Sequence, residues 1–597
     1  MKNLLMLAAA LTIGSTLTSA GAAPYVNEAK YSNAKGTPDM GGVLRGANLA
    51  DFKTINPFTY RESPSLPGSI LVAGGLLGYD AYSGDFTPYM AESYTQSADK
   101  TLFTLKIRKG MKWSDGEDIT ADDYMTTYTI ERDEKVGSNA FSGWYPNEKP
   151  IIVKKLDAYT ITIKYPNADV TALEFIGAYA PQPSHIFDSV YKTKGAEGIK
   201  AMWSVSTPAA QIVSAGPFKL ERYVPGERVT LTKNKFFGEW NKDSAGRALP
   251  YLDGLQINIV ADANAQLAAF LAGNTDVYQP GDRDKLAQVK AAIDAKKLTA
   301  NLLPNASSRA SSDFVVFNQD TAGSFKGKLF RNVKFRQVFS QLVNRDAMVD
   351  LVLGGLGVPT YTGVYPVYKD WVAGGADQFK FNPTAAAATL KSLGFSKKDK
   401  DGVLVDAKGN RLEFTLIANA ENTRRQQYAK IIADEALKVG VKINTSFIAF
   451  NQMSGLLDAK PNFAPRSFDA IMIGLVGGGL TYPVSSDNVI TCNNLPADGN
   501  LHMFNQTGKC IYPFETQIVN LYYKGRGEFN LAKRKDVAVS IQKLEAANQP
   551  VTYLAAQTVH YAWQTKVQGE VPKQIMRDDL SNVIYGPRDL ALTWINK

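Results

Sequence analysis

IRKGMKWSDGEDITADDY, residues 107–124, sets five carboxylates within nine positions behind a tryptophan. Asp115, Glu117, Asp118, Asp122 and Asp123 could ligate a metal, run acid–base chemistry or shape the backbone. An EF-hand needs ligands at loop positions 1, 3 and 5 with Gly at 6 and Glu at 12. Counted from Asp115, Gly116 arrives too early. Asp115–Gly116 instead suits a tight turn. Thr120-Ala121-Asp122-Asp123 has the form of a capping box, and its acids favour the positive end of a helix dipole. Upstream, TLFTLKIR (101–108) alternates Phe103, Leu105 and Ile107 against Leu102, Thr104, Lys106 and Arg108, as a half-buried strand does. The stretch therefore reads as strand, turn and capped helix, with its acids as architecture.

The same grammar extends through the first half. GGVLRGAN (41–48) reads as a strand, AYTITIKY (158–165) alternates, and GPFKLERYVPGERVTLTKN (216–234) reads as two strands about a Pro225–Gly226 turn. Past about residue 310 the period changes. Phe335, Val338, Phe339, Leu342 and Val343 fall at helical spacing, and Asn344 and Asp346 start a second helix that Gly354 ends. RLEFTLIAN, RRQQYAKIIADEALKVG, VKINTSFI, residues 451–458 and FDAIMIG (468–474) then run strand, helix, strand, helix, strand, which predicts a parallel α/β lobe. Residues 531–547 have helical spacing and 551–563 are strand-like.

The 597 residues exceed one ordinary core, so two or more lobes are expected. With 45% hydrophobic and 21% charged residues the chain is a folded protein, and +9 spread over this length is mild. No basic block interleaved with aromatics points to nucleic acid. Lys2, the apolar run Leu4–Leu17 and the small residues Ala20–Ala23 predict a secretory signal peptide cut after Ala22 or Ala23. No cysteine adjoins that site to carry a lipid, so a periplasmic or secreted location is expected. The two cysteines, Cys492 and Cys510, favour a local disulfide in that compartment.

AESYTQSADKTLFTLKIRKGMKWSDGEDITADDYMTTY (91–128) closely resembles the signature region of solute-binding protein family 5, the dipeptide-, oligopeptide- and nickel-binding receptors of bacterial ABC importers. GGVLRGANLADFKTINPFT (41–59), SAGPFKLERYVPGERVTLTKNKFF (214–237) and NVKFRQVFSQLVNRDAMVDLVLGGLGVP (332–359) resemble further family segments in the right order. FNPTAAAATLKSLGF (381–395) and IADEALKVGVKI (432–443) do so too, and the likeness covers about 41–560. It implies an α/β chain with the type II periplasmic-binding-protein fold: two lobes joined by hinge strands, with an extra β-rich subdomain on lobe one. The expected organisation is signal peptide 1–22, a loose arm 23–40, lobe one 41–310 with its subdomain about 96–213, lobe two 311–477, and a return to lobe one over 478–597. Hinges are expected near Val315–Asn318 and Ile473–Gly477.

The resemblance implies a ligand held in the interlobe cleft, enclosed by hinge closure and passed to permease subunits, by a chain acting as a monomer. It places Glu62, Ser63, Arg424, Gly478 and Tyr482 on the cleft wall. Peptide-binding relatives carry an Asp in the loop after the second hinge strand, yet here that loop runs Gly477-Gly478-Gly479-Leu480-Thr481-Tyr482-Pro483. A buried ammonium without a carboxylate is costly, so oligosaccharides stay open beside oligopeptides. With three histidines in all, His185, His502 and His560, nickel is the least supported cargo. No GxSxG, HExxH or CxxC motif is present, and no catalytic residue, cofactor or metal is expected. An exported hydrolase and a sensory or chaperone-like receptor remain the alternatives.

Overall fold

Thr120 opens a helix as its sequence context predicts. Its Oγ1 accepts the N–H of Asp122 at 3.3 Å, and Asp123 Oδ2 accepts the N–H of Thr120 at 2.7 Å. The computed structural model describes residues 25–27, 36–49, 51–60, 71, 74–79, 85–309, 311–457, 460, 462, 464–476, 478–484, 492, 504–507, 509–569 and 590–596. The expected signal peptide lies outside them. Part of the expected arm is docked: β1 (Tyr25–Asn27) pairs in parallel with Asn241–Asp243, and the Tyr25 ring meets Tyr89 edge-on at 5.0 Å.

Along the first 260 residues come β2 (Val43–Asn48), β3 (Ala91–Gln96), β4 (Leu102–Ile107), α1 (Ala121–Glu131), β5 (Ile152–Asp157), β6 (Thr160–Lys164), α2 (Ala172–Ala178), β7 (Phe218–Val224), β8 (Arg228–Lys233) and β9 (Gly254–Ile259). They build two four-stranded sheets, β2–β9–β8–β7 and the wholly antiparallel β3–β4–β6–β5. Phe103, Leu105 and Ile107 are buried, so the alternating face of β4 is its core face. Gly226, at φ +70°, makes the hairpin turn between β7 and β8.

Four of the five acids of the opening stretch go to separate partners. Asp115 pairs with His185 at 2.8 Å, Asp118 with Lys112 at 2.5 Å and Asp122 with Lys155 at 2.6 Å. Asp123 is buried and also accepts the N–H and hydroxyl of Ser184, tying α1 to the helix Ser184–Ala201. Thr120→Ala is expected to cost about 1 kcal/mol, read as a lower urea midpoint with unchanged far-UV circular dichroism.

β10 (Val277–Tyr278), α3 (Arg283–Asp294) and β11 (Ala300–Ser308) end this part of the first lobe, and the second lobe follows through β12 (Ser311–Phe317), α4 (Val333–Leu342), β13 (Gly357–Pro359), β14 (Glu413–Asn419), α5 (Thr423–Lys438), β15 (Lys442–Ile448), α6 (Phe450–Leu457) and β16 (Ala470–Val476). Phe335, Val338, Phe339, Leu342 and Val343 are all buried, and Asn344 caps the short helix after them. A π-helical turn, Met348–Val352, precedes Gly354. The five-stranded sheet runs β15–β14–β16–β12 and ends on β17 (Thr552–Tyr553). β15, β14 and β16 are parallel as the alternation predicts, β12 runs antiparallel to β16, and β17, antiparallel to β12, returns to the sense of the other three. A strand that enters from another lobe needs no crossover helix, so nothing forces it parallel.

The chain returns through α7 (Pro513–Arg526), α8 (Leu531–Asn548), β17 and β18 (Ala555–Gln564). β18 pairs with β10, β11 and β13. Two neighbouring passes therefore cross between lobes, β11 into β12 and β17 into β18. Leu554 and Ala555 lie in the second lobe's core, whereas Val559 and Tyr561 lie in the first's. Within the expected return segment, Thr552–Tyr553 thus belongs to the second lobe's sheet, bonded there because β12 leaves its outer edge free.

Candidate functional site

In an open α/β sheet the crevice for a ligand lies beyond the carboxyl ends of the parallel strands. Here β14 and β15 end at Asn419 and Ile448, where α5 and α6 begin. Glu421 fills the gap: its oxygens accept the Phe450 N–H at 3.0 and 3.1 Å and the Asn419 side chain at 3.3 Å. Lys53, from the first lobe, reaches across to place Nζ 5.6 Å from the Phe450 ring centre, within cation–π range. Burial alone would raise the Glu421 carboxyl; the Phe450 N–H, its own N–H, Asn419 and the Lys53 charge hold it below its usual range.

Arg424 and Arg425 stand in the first turn of α5, the positive end, where a cation is ordinarily misplaced. Asp313 of β12 resolves this. Its Oδ2 accepts Arg424 Nε at 3.0 Å and Nη2 at 2.9 Å, and its Oδ1 accepts Arg425 Nε at 2.8 Å. Asp313 is 5% exposed; burial raises its carboxyl, but the two guanidiniums outweigh that and bring it down to about 2. Directly opposite on β16 is Gly474, where a Cβ would stand 2.6 Å from Asp313 Oδ1 and 2.9 Å from Arg425 Nη2. Only glycine leaves room for the trio.

The loop after β16 is held from two sides. Tyr368 donates its hydroxyl to the Gly478 carbonyl at 3.3 Å, and a Cβ on Gly478, at φ +81°, would meet that ring near 3.0 Å. Glu174, from α2 in the first lobe, accepts the N–H of Leu480 on both oxygens at 2.8 Å and that of Thr481 at 3.2 Å. The loop lacks an acid of its own, and α2 delivers one from some 300 residues upstream.

Of the predicted wall residues, Glu62 and Ser63 lie outside the described residues. Gly478 sits in the loop just built. Arg424 is 27% exposed and committed to Asp313 and to Gln557 Oε1, 2.6 Å from its Nη1. Tyr482 is buried at 3% exposure, edge-on to Trp371 and tilted against Tyr522, with its hydroxyl over Gly525, where a side chain would not fit. It packs the α7–α8 layer instead of presenting a stacking face. Glu174, Glu421, Lys53 and Phe450 were not foreseen; only the acid missing from the loop hinted that another element must supply one. Cys492 and Cys510 form the expected disulfide, with Cα atoms 5.0 Å apart. His560 is buried and accepts the Asn305 N–H on Nδ1, and burial lowers its pKa; His502 lies outside the described residues.

A cavity of about 370 Å³, lined by Arg331, Arg336, Tyr512, Phe514, Leu544 and Asn548, lies away from these residues between α4, α7 and α8. Arg336 there donates to the carbonyls of Asn548 and Gln549, the negative end of α8, which accounts for its buried charge.

Residues 85–494 match the family model described as bacterial extracellular solute-binding proteins, family 5, middle. The chain belongs to this family. It is 61% identical, over the full length of both chains, to a Deinococcus radiodurans protein named a probable ABC transporter-binding protein. Among solved structures it resembles the oligopeptide-binding protein AppA of Bacillus subtilis in complex with a nonapeptide, with TM-score 0.74 and 22% identity, covering 94% of this chain and 100% of that one. It also resembles the periplasmic binding protein MelB of Agrobacterium fabrum in complex with stachyose, with TM-score 0.76 and 19% identity, covering 96% and 87%. These neighbours carry the two-lobed type II periplasmic-binding-protein fold. No helix among the described residues is long and apolar enough to cross a membrane.

Proposed function

We propose that this family 5 protein is the extracytoplasmic capture subunit of an ABC importer, that it takes oligopeptides between its lobes as a monomer, and that it delivers them to permease subunits after its signal peptide is removed. The observation that carries the peptide reading is Glu174. Its carboxylate accepts the backbone N–H groups of Leu480 and Thr481 beside Gly478 and Gly479, and so sets a negative charge at the glycine-rich loop that would draw a ligand ammonium. Such a charge-assisted bond in a closing cleft is worth more than the same pair in water. The glycine-rich loop also lets a ligand's backbone come close. Closure then requires only that the peptide bind the closed state better than the open one.

The test joins mass spectrometry of small molecules that co-purify with the chain to thermal-shift titration with oligopeptides and with stachyose. Peptides are expected to raise the melting temperature. Glu174→Gln, which keeps an acceptor for Leu480 but loses the charge, is expected to weaken peptide affinity about tenfold without moving the ligand-free melting temperature. A shift with stachyose alone, the ligand of the MelB complex, would move the assignment to oligosaccharides. Consumption of an amide or ester substrate with no thermal shift would make the chain a hydrolase.

A further inference from the structure

Gln557 sits on β18 where that strand leaves the second lobe. Its backbone is fixed: its carbonyl accepts the Arg309 N–H at 2.8 Å, between β11 and β12, and it stands opposite Gly357 of β13. Its side chain is divided between lobes. The amide oxygen takes Arg424 Nη1 at 2.6 Å, a short charge-assisted bond, while the amide nitrogen donates to the Gly281 carbonyl at 3.3 Å. Arg424 is anchored to the second lobe through Asp313; Gly281 belongs to the loop ahead of α3. One half of the bridge is strong and the other long, so a rotation between lobes would break it at Gly281.

A second contact uses the same loop. The turn at Gly354 lies against Arg283, whose Cβ and Cδ stand 2.6 Å from where a Gly354 Cβ would be. The second lobe thus bears on residues 281–283 at two points, one polar and one steric, beside the two passes about which it must turn.

We propose that Gln557 is a positioning residue for interlobe movement: its amide couples Arg424 on the second lobe to the Gly281 carbonyl on the first and so helps set the resting angle between them. This needs no assumption about ligand chemistry. The experiment is small-angle X-ray scattering of the ligand-free full chain, with melting temperature measured alongside. Gln557→Met keeps the length and removes both polar contacts; Gln557→Glu keeps an acceptor for Arg424 and sets a carboxylate against the Gly281 carbonyl. Both variants are expected to show a larger radius of gyration than the unaltered chain. A merely structural role would lower the melting temperature of Gln557→Met, spare Gln557→Glu, which retains its Arg424 pairing, and leave the scattering of both unchanged. Unchanged scattering overturns the proposal whatever the melting temperatures do. Should Gln557→Met fail to fold, Gln557→Glu alone decides it. Because no ligand enters the measurement, the result stands apart from the fate of the peptide reading.

Discussion

Asp313→Ala is expected to destabilise the chain by about 3–5 kcal/mol, more than any other single substitution considered. The variant strands two guanidiniums, with side chains 27% and 10% exposed, at the positive end of α5. Among the described residues neither has another carboxylate: Arg424 keeps the Gln557 amide and Arg425 the Asn419 amide. Removing one partner of a buried pair costs more than the pair was worth, because the survivor stays desolvated. The trio Asp313→Leu/Arg424→Leu/Arg425→Leu, which removes every charge, should therefore be less harmful than Asp313→Ala alone. The pH dependence has a definite sign. Asp313 falls from 3.8 to about 2 on folding, so its contribution is present above pH 3.8 and lost as pH falls through 2. That depression corresponds to about 2 kcal/mol. Urea titrations at pH 7 and an acid titration compare the variant with the unaltered chain. A loss at pH 7 below about 1 kcal/mol would show that the arginines find water or other acceptors instead.

What could be read from the sequence was what short-range chemistry decides. Thr120 and Asp123 are three residues apart, so their reciprocal cap is written in one turn. The Pro225–Gly226 turn and the apolar stripe of α4 are equally local. The sheet of the second lobe was half legible. The alternation of β14, α5, β15, α6 and β16 gives a parallel core. That β12 joins it in the opposite sense, with β17 added on β12's far side, depends on passes between the lobes, which no local period records. The site was the least legible. Arg424 sits near the crevice, yet its partner Asp313 is 111 residues away and decides what it does. Glu174 and the loop it serves are 306 residues apart. Tyr482 is an aromatic in a glycine-rich loop, which fits a stacking surface as well as a buried one. Only the α7–α8 layer, with Gly525 beneath its hydroxyl, distinguishes them.

Glu545 should make the chain less stable as pH rises through neutrality, and Glu545→Gln should remove that loss. Glu545 lies on α8 at 3% exposure. One oxygen accepts the Gly363 N–H at 3.2 Å, and the other has no hydrogen-bond partner among the described residues. Burial pushes its carboxyl up to about 7, against which the Gly363 N–H is too weak. An acid raised from 4.5 to about 7 binds its proton more tightly in the folded state, so its contribution is complete below pH 4.5 and lost as pH rises to 7. The loss amounts to about 3 kcal/mol. Glutamine keeps an acceptor for Gly363 without a charge to desolvate. Unaltered and Glu545→Gln chains should therefore unfold at similar urea concentrations at pH 4.5, and the variant should be the more stable at pH 8.5. Glu131, also raised to about 7 by burial, acts equally in both chains and cancels from the difference. The strain of ionising Glu545 falls on a particular place. Gln542, one turn earlier, accepts from Thr362 and Ala373 and donates to the Trp371 carbonyl, so α8 holds the whole segment 362–373. That segment carries Tyr368, which supports Gly478 in the candidate site. Parallel pH dependences in the two chains would mean that water reaches the free oxygen of Glu545, and the carboxylate would then be no burden to the fold.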